Sequence, residues 1–219
     1  MRVITFTTNM IESHMYLAEE DGHVLIIDPA DSGMMIDAVT SGGFAPDKII
    51  LTHEHCDHSY GADAVRRRFD CRIYASEPCG RNLMDPRNNY SRYFDALSAI
   101  QTRLKSSEQR KIEPFSFAAD VTFSCESCFV WRGHEVLLRE TPGHSEGGIC
   151  ILIDNKVLFS GDTLLWKEKT ITRFIGGSKK VLREVTIPWL ESLDGDIVVY
   201  PGHLESFRLR DRLKEPIIV

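Results

Sequence analysis

Three histidines and an aspartate fall within six residues of this chain, in the string His53-x-His55-x-Asp57-His58. Each buried polar group needs a partner, so such a string would be costly in a core, and a plain solvated loop has no use for it. Residues i and i+2 of an extended chain point the same way, so His53 and His55 can grip one ion. Turning the chain at Asp57-His58 aims a second pair at a neighbouring position. The string follows an apolar strand and precedes a helix, which places it in a loop at a strand's C-terminal end, where α/β proteins commonly carry their chemistry. Neutral imidazole and carboxylate suit zinc, iron or manganese, whereas calcium takes oxygen ligands.

Three further places repeat one grammar: a strand, a Gly-bearing loop, then a residue of ligand type. They are Thr141-Pro142-Gly143-His144, Ser160-Gly161-Asp162-Thr163 and Tyr200-Pro201-Gly202-His203. Alone, each is an everyday turn. Joined to the histidine string, they complete two ligand sets. His14, His23 and His134 lie in or beside predicted strands without this grammar and are read as structural.

The rest of the pattern says what carries these motifs. Short β-rich runs at Val3–Thr8, His14–Ala18 and Val24–Asp28 precede a helix over Asp31–Ser41 and a strand over Lys48–Leu51. A helix over Gly61–Phe69 and a strand over Cys71–Tyr74 follow. Residues 83–113 are polar and read as a helical insertion, with a helix over Asp95–Arg110 whose apolar face is Phe94, Leu97, Ile100 and Leu104. Strands return at Val121–Phe123, Phe129–Trp131, Glu135–Arg139, Ile149–Asp154 and Val157–Ser160, then a helix near Lys179–Ser192 and a strand at Ile197–Tyr200. The class is α/β, and without a linker or low-complexity tract the 219 residues read as one domain.

Net charge is −6, which argues against nucleic acid or an anionic membrane surface as main partner. The longest apolar runs, Val24–Ile27 and Ile149–Ile153, fall far short of the roughly 18 residues of a membrane span. The N-terminus reads at once as a strand and not as a signal peptide, so the cytoplasm is the expected compartment. There the six cysteines are expected to be reduced.

In this order, and spread over nearly the whole chain from Met1 to about His203, the four motifs resemble those of the metallo-β-lactamase fold superfamily of metallohydrolases, and within it the glyoxalase II-like branch. The resemblance implies a four-layer αββα sandwich of two mixed β-sheets flanked by helices, with a dinuclear site at one edge. By that resemblance His53, His55 and His144 hold the first metal, Asp57, His58 and His203 the second, and Asp162 bridges both. Two divalent ions are implied, zinc foremost, with iron or manganese as alternatives. Such ions lower the pKa of bound water from about 15.7 to near 7 and polarise a carbonyl, so a bridging hydroxide held by Asp162 can serve as nucleophile. Asp57 is the candidate proton acceptor.

The implied substrate is a small acyl thioester or ester, as for a hydroxyacylglutathione hydrolase. A mononuclear iron persulfide dioxygenase of the same fold and a lactonase remain open. The family's glutathione-binding helical domain would follow His203, where only 16 residues stand here. Leu204 replaces a usual glycine, and the loop Thr172-Arg173-Phe174-Ile175-Gly176-Gly177 keeps an arginine and paired glycines without their usual neighbours. Arg173 is a candidate for a substrate carboxylate, and Tyr90 and Tyr93 for the pocket wall. Cys56 is expected to point into the core, Cys125 and Cys128 to form a reduced surface pair, and Asp28 to order nearby loops. Oligomeric state is not legible.

Overall fold

Strands without a polar face must be covered on both sides, and the two longest apolar runs are interior strands of two separate sheets. The computed structural model describes residues 1–100 and 111–217. It divides into two compact units, Met1–Ala75 with Gly80–Thr122, and Ser76–Cys79 with Phe123–Val219.

The first sheet has the order β1 (Arg2–Thr7), β2 (His14–Glu20), β3 (His23–Ile27), β4 (Ala45–Ile50), β5 (Arg72–Ser76) and β6 (Val121–Phe123). β1, β2 and β3 pair antiparallel, and β3, β4 and β5 pair parallel. Parallel neighbours need crossovers. The first is helix α1 (Ser32–Gly42), started by Asp31, whose carboxylate accepts from Met34 N. It ends at Gly43 in the left-handed region, with Gly43 N bonded to Thr40 O and Phe44 N to Val39 O. The second crossover carries α2 (Cys56–Ser59) and α3 (Ala62–Phe69). Leu17, Leu25, Ile27, Met35, Val39, Ile49 and Val65 are buried in this unit.

Between β5 and β6 the chain forms α4 (Glu77–Leu83), a 3-10 turn at Ser91–Tyr93 and α5 (Phe94–Ile100). The continuation of the expected helix to Arg110, with Leu104, lies outside the described residues.

The second sheet has the order β12 (Phe207–Arg208), β11 (Val198–Pro201), β10 (Val157–Gly161), β9 (Ile149–Ile153), β8 (His134–Glu140) and β7 (Glu126–Trp131). β7 to β10 form an antiparallel meander, and β10 pairs parallel with β11. That crossover is helical but interrupted. α6 (Lys179–Val181) passes into a π-helical turn at Leu182–Thr186, where Ile187 N reaches back to Leu182 O, before α7 (Ile187–Ser192). Pro188 has no N–H to donate, and the widened turn accommodates that gap. A short α8 (Leu209–Arg212) follows β12. Leu152, Leu158, Leu190, Ile197, Val199 and Leu209 share one core cluster in this unit.

Strand direction sets where chemistry emerges. In the first sheet β3 and β4 run together, so Asp28 and the histidine string leave at one edge. In the second, β8 and β10 are both antiparallel to β9, and β11 is parallel to β10. Thus the loops bearing His144, Asp162 and His203 leave from one edge as well.

Candidate metal centre

In the first unit the string is half loop, half helix: His53 and His55 precede α2, and Asp57 and His58 lie on its first turn. His53, His55 and His58 are buried. The His53 ring lies 4.6 Å from that of His55 and 4.4 Å from that of His58, centroid to centroid. Behind them stands Asp28, buried and in the left-handed region at φ 51°, a conformation unusual outside glycine. Its Oδ1 accepts from Thr52 N at 2.7 Å and its Oδ2 from Thr52 Oγ1 at 2.6 Å. The Thr52 hydroxyl has one hydrogen, committed to Asp28. Toward His53 Nδ1, 3.0 Å away, it can therefore only accept. Nδ1 then carries the proton and Nε2 keeps a lone pair for a cation. Asp28 Oδ2 also lies 3.3 Å from His58 Nδ1, and Asp57 Oδ2 is 3.6 Å from His58 Nε2. Glu54, buried between two histidines, accepts from Asn82 Nδ2 at 3.0 Å.

In the second unit His144, Asp162 and His203 come from three loops. Asp162 Oδ2 lies 3.6 Å from His144 Nε2 and 3.5 Å from His203 Nε2. His144 Nδ1 donates to the main-chain oxygen of Ile171 at 2.8 Å, since a carbonyl only accepts. The tautomer is again Nδ1–H, with Nε2 left for a cation. The loop's close approach needs Gly143, at φ 142°, where a Cβ would meet Leu182 Cβ at 2.5 Å. Thr186 Oγ1 donates to Pro142 O at 2.7 Å, so the π-helical turn braces the same loop.

The donor set fits divalent metal. Two atoms each about 2.0–2.2 Å from one tetrahedral ion lie roughly 3.3–3.6 Å apart. The Asp162–His144, Asp162–His203 and Asp57–His58 spacings match that separation and are too long for hydrogen bonds. A model of the metallo-β-lactamase superfamily matches residues 11–203, a span that includes all seven ligand-type residues. The chain belongs to the metallo-β-lactamase superfamily. Its two mixed six-stranded sheets with helices are the α/β fold of that superfamily. The B3 metallo-β-lactamase BLEG-1 has a similar structure, with a TM-score of 0.80 and 25% identity, covering 98% of this chain and 97% of that one. A Bacillus subtilis protein named as a probable metallo-hydrolase is 29% identical over 195 residues, 88% of this chain and 85% of the relative. A hydroxyacylglutathione hydrolase of Francisella philomiragia is 25% identical over 208 residues, 90% of this chain and 65% of its own length. By family, then, this is a metal-dependent hydrolase.

Tyr90, at φ 63°, is buried and presents its ring edge-on to His55 at 5.0 Å, with Tyr93 6.4 Å further out and exposed. Arg173 is exposed, and its neighbour Phe174 meets the His144 ring edge-on at 5.7 Å. Cys56 is buried, and burial pushes its thiol pKa well above the usual range. Cys125 and Cys128 are free thiols at the surface, on and after the turn from β6 to β7. The three histidines read as structural each face a polar atom: His14 the Tyr16 hydroxyl, His23 Asp47, and His134 Asp154 at 2.6 Å. Sequence reasoning missed Thr52 as the tautomer-setting acceptor, although its place directly before His53 was the available signal. It also missed Ile171, whose carbonyl leaves no trace in residue type. Among the described residues no helix is long and apolar enough to cross a membrane.

Proposed function

We propose that the protein hydrolyses a small acyl thioester at two divalent metal ions, zinc foremost. His53, His55 and His144 would hold one ion, Asp57, His58 and His203 the other, and Asp162 would serve both. The observation that carries this reading is the set of donor spacings within each unit: Asp162 Oδ2 lies about equally far from His144 and His203, as a shared ligand requires. When bound, the ions supply a water of lowered pKa and an electrophile for the acyl oxygen.

The chain's own side chains do the rest. The Nδ1–H tautomers of His53 and His144 keep Nε2 available as ligand atoms without reorganisation. Asp57, with its side chain 14% exposed, accepts a proton at a carboxylate oxygen. Tyr90 walls the acyl group, with Tyr93 at the rim, and Arg173 binds a substrate carboxylate. Water adds across the C–S bond, giving a carboxylic acid and a free thiol. The similarity to a hydroxyacylglutathione hydrolase supports the thioester over other acyl compounds.

The test is thiol release from S-lactoylglutathione by protein loaded with zinc, manganese or iron. Turnover that disappears in Asp57→Ala is expected. Folded, metal-loaded protein that turns over with none of the three would overturn the thioester reading.

A further inference from the structure

Arg212, on α8, is 2% exposed, an unusual place for a guanidinium. Its hydrogen bonds go to main-chain carbonyls: Nε to Leu165 at 2.7 Å, Nη2 to Glu168 at 2.7 Å and Nη1 to Glu215 at 3.1 Å. Burial lowers its pKa from the ordinary arginine value. A buried guanidinium that is hydrogen-bonded to carbonyl dipoles, with the Glu215 carboxylate as a charge partner, is still costly to desolvate, so its placement calls for a use.

Two of the three carbonyls belong to the loop that follows Asp162. That loop is held again at Thr170, whose N donates to Ile217 O at 3.0 Å and whose Oγ1 donates to Thr163 O at 2.8 Å. The next residue, Ile171, supplies the oxygen that takes the His144 Nδ1–H. We infer that Arg212 is a positioning residue for the candidate metal centre: with the Ile217 carbonyl it clamps residues 165–170 so that Ile171 O fixes the ring and tautomer of His144. The role of the clamp rests on the reading of His144 as a metal ligand; the clamp itself does not.

The experiment uses the full chain with Arg212→Lys, Arg212→Met and, as control, Arg210→Ala. Arg210 is exposed and paired with Asp196. Two quantities are read: zinc affinity by competition with a chromophoric chelator, and the imidazole ¹⁵N–¹H pattern of His144 before and after zinc. In Arg212→Met, zinc affinity is expected to fall about tenfold, and the protected Nδ1–H signal of His144 to be lost. Arg212→Lys keeps the charge but cannot reach separate carbonyls with a planar fork, so it should lie between. The control should match wild type. A folded Arg212→Met with wild-type affinity and imidazole pattern overturns the clamp. If Arg212→Met does not fold, the same two wild-type readings in Arg212→Lys overturn it. Should His144→Ala leave zinc binding intact, the metal reading of His144 fails, while the imidazole pattern still reports on the clamp.

Discussion

The two units hold their histidines by the same chemistry but from different sources. In the first, a side-chain relay does it: Asp28 takes the Thr52 hydrogen, and Thr52 takes that of His53. In the second, the main chain does it, through Ile171 O on His144. The first unit draws its donors from one contiguous string after β4, and the second draws one donor from each of three loops. A relay of side chains is local and can be erased by one substitution. A carbonyl persists whatever residue bears it, so its position depends on everything that shapes its loop.

The largest expected effect removes a donor from either unit and asks whether both are needed. Asp57→Ala and Asp162→Ala should each lower kcat/KM by roughly 10³-fold or more, about 4 kcal/mol of transition-state stabilisation. A variant in one unit that kept full activity would break the symmetry of roles. His144→Ala should reduce bound metal below two ions per chain by elemental analysis; two ions retained would remove His144 from the first site.

Next comes the source of orientation. Thr52→Val should weaken metal binding about 10–100-fold and Thr52→Ser should restore it, whereas Ile171→Val should leave affinity near wild type. Equal sensitivity at positions 52 and 171 in a metal titration would erase the distinction.

Loop geometry should tell on stability and not on metal affinity, with an effect of similar size in both units. Gly61 lies where a Cβ would overlap Pro29 O and Ser32 N, and Gly143 where it would meet Leu182. Alanine at either is expected to cost roughly 1–3 kcal/mol, read as a drop of several degrees in Tm. An unchanged Tm would mean that the backbone there yields freely.

Smallest is an effect on labelling alone. Cys125 and Cys128 should react with a thiol reagent in native protein, and Cys56, Cys71, Cys79 and Cys150 only in denaturant. Burial pushes Cys71 up to about 11 and Cys150 up to about 12, so neither offers thiolate at neutral pH. Mass spectrometry of the labelled chain counts the sites, and rapid native labelling at Cys150 would contradict its burial.

Legibility follows the same divide. The strands from β1 to β11, the helix α1 and the loop setting of the histidine string are written in side-chain periodicity and type and appear close to their expected places, whereas the two-residue β12 is too short to leave a pattern. β4 starts at Ala45, ahead of the expected Lys48, because Pro46 is tolerated near a strand's start beside the irregularity at Val24 and Leu25. α4 escaped notice because Pro78 and Gly80 argue against helix, although proline is accepted in a first turn. The helix expected over Lys179–Ser192 is broken by the π-helical turn, a response to Pro188 that hydrophobic spacing does not encode. For the candidate site, the residue types that could serve as donors were readable, but the hydrogen-bond partners of His53 and His144 were not. Nothing in residue type or spacing marks Arg212 as the buried arginine that it is.

The carbonyl of Ile171 has a consequence for protein engineering. Because the group that fixes His144 survives every substitution at its own position, a library at the exposed positions 173 and 175 leaves that oxygen in the chain, provided the anchors at Leu165, Glu168 and Thr170 are kept. Arg173 and Ile175 stand exposed at the surface, whereas Phe174 between them meets the His144 ring and is to be kept. Such a loop separates what must be inherited from what can be searched, and new substrate specificities would be sought there first.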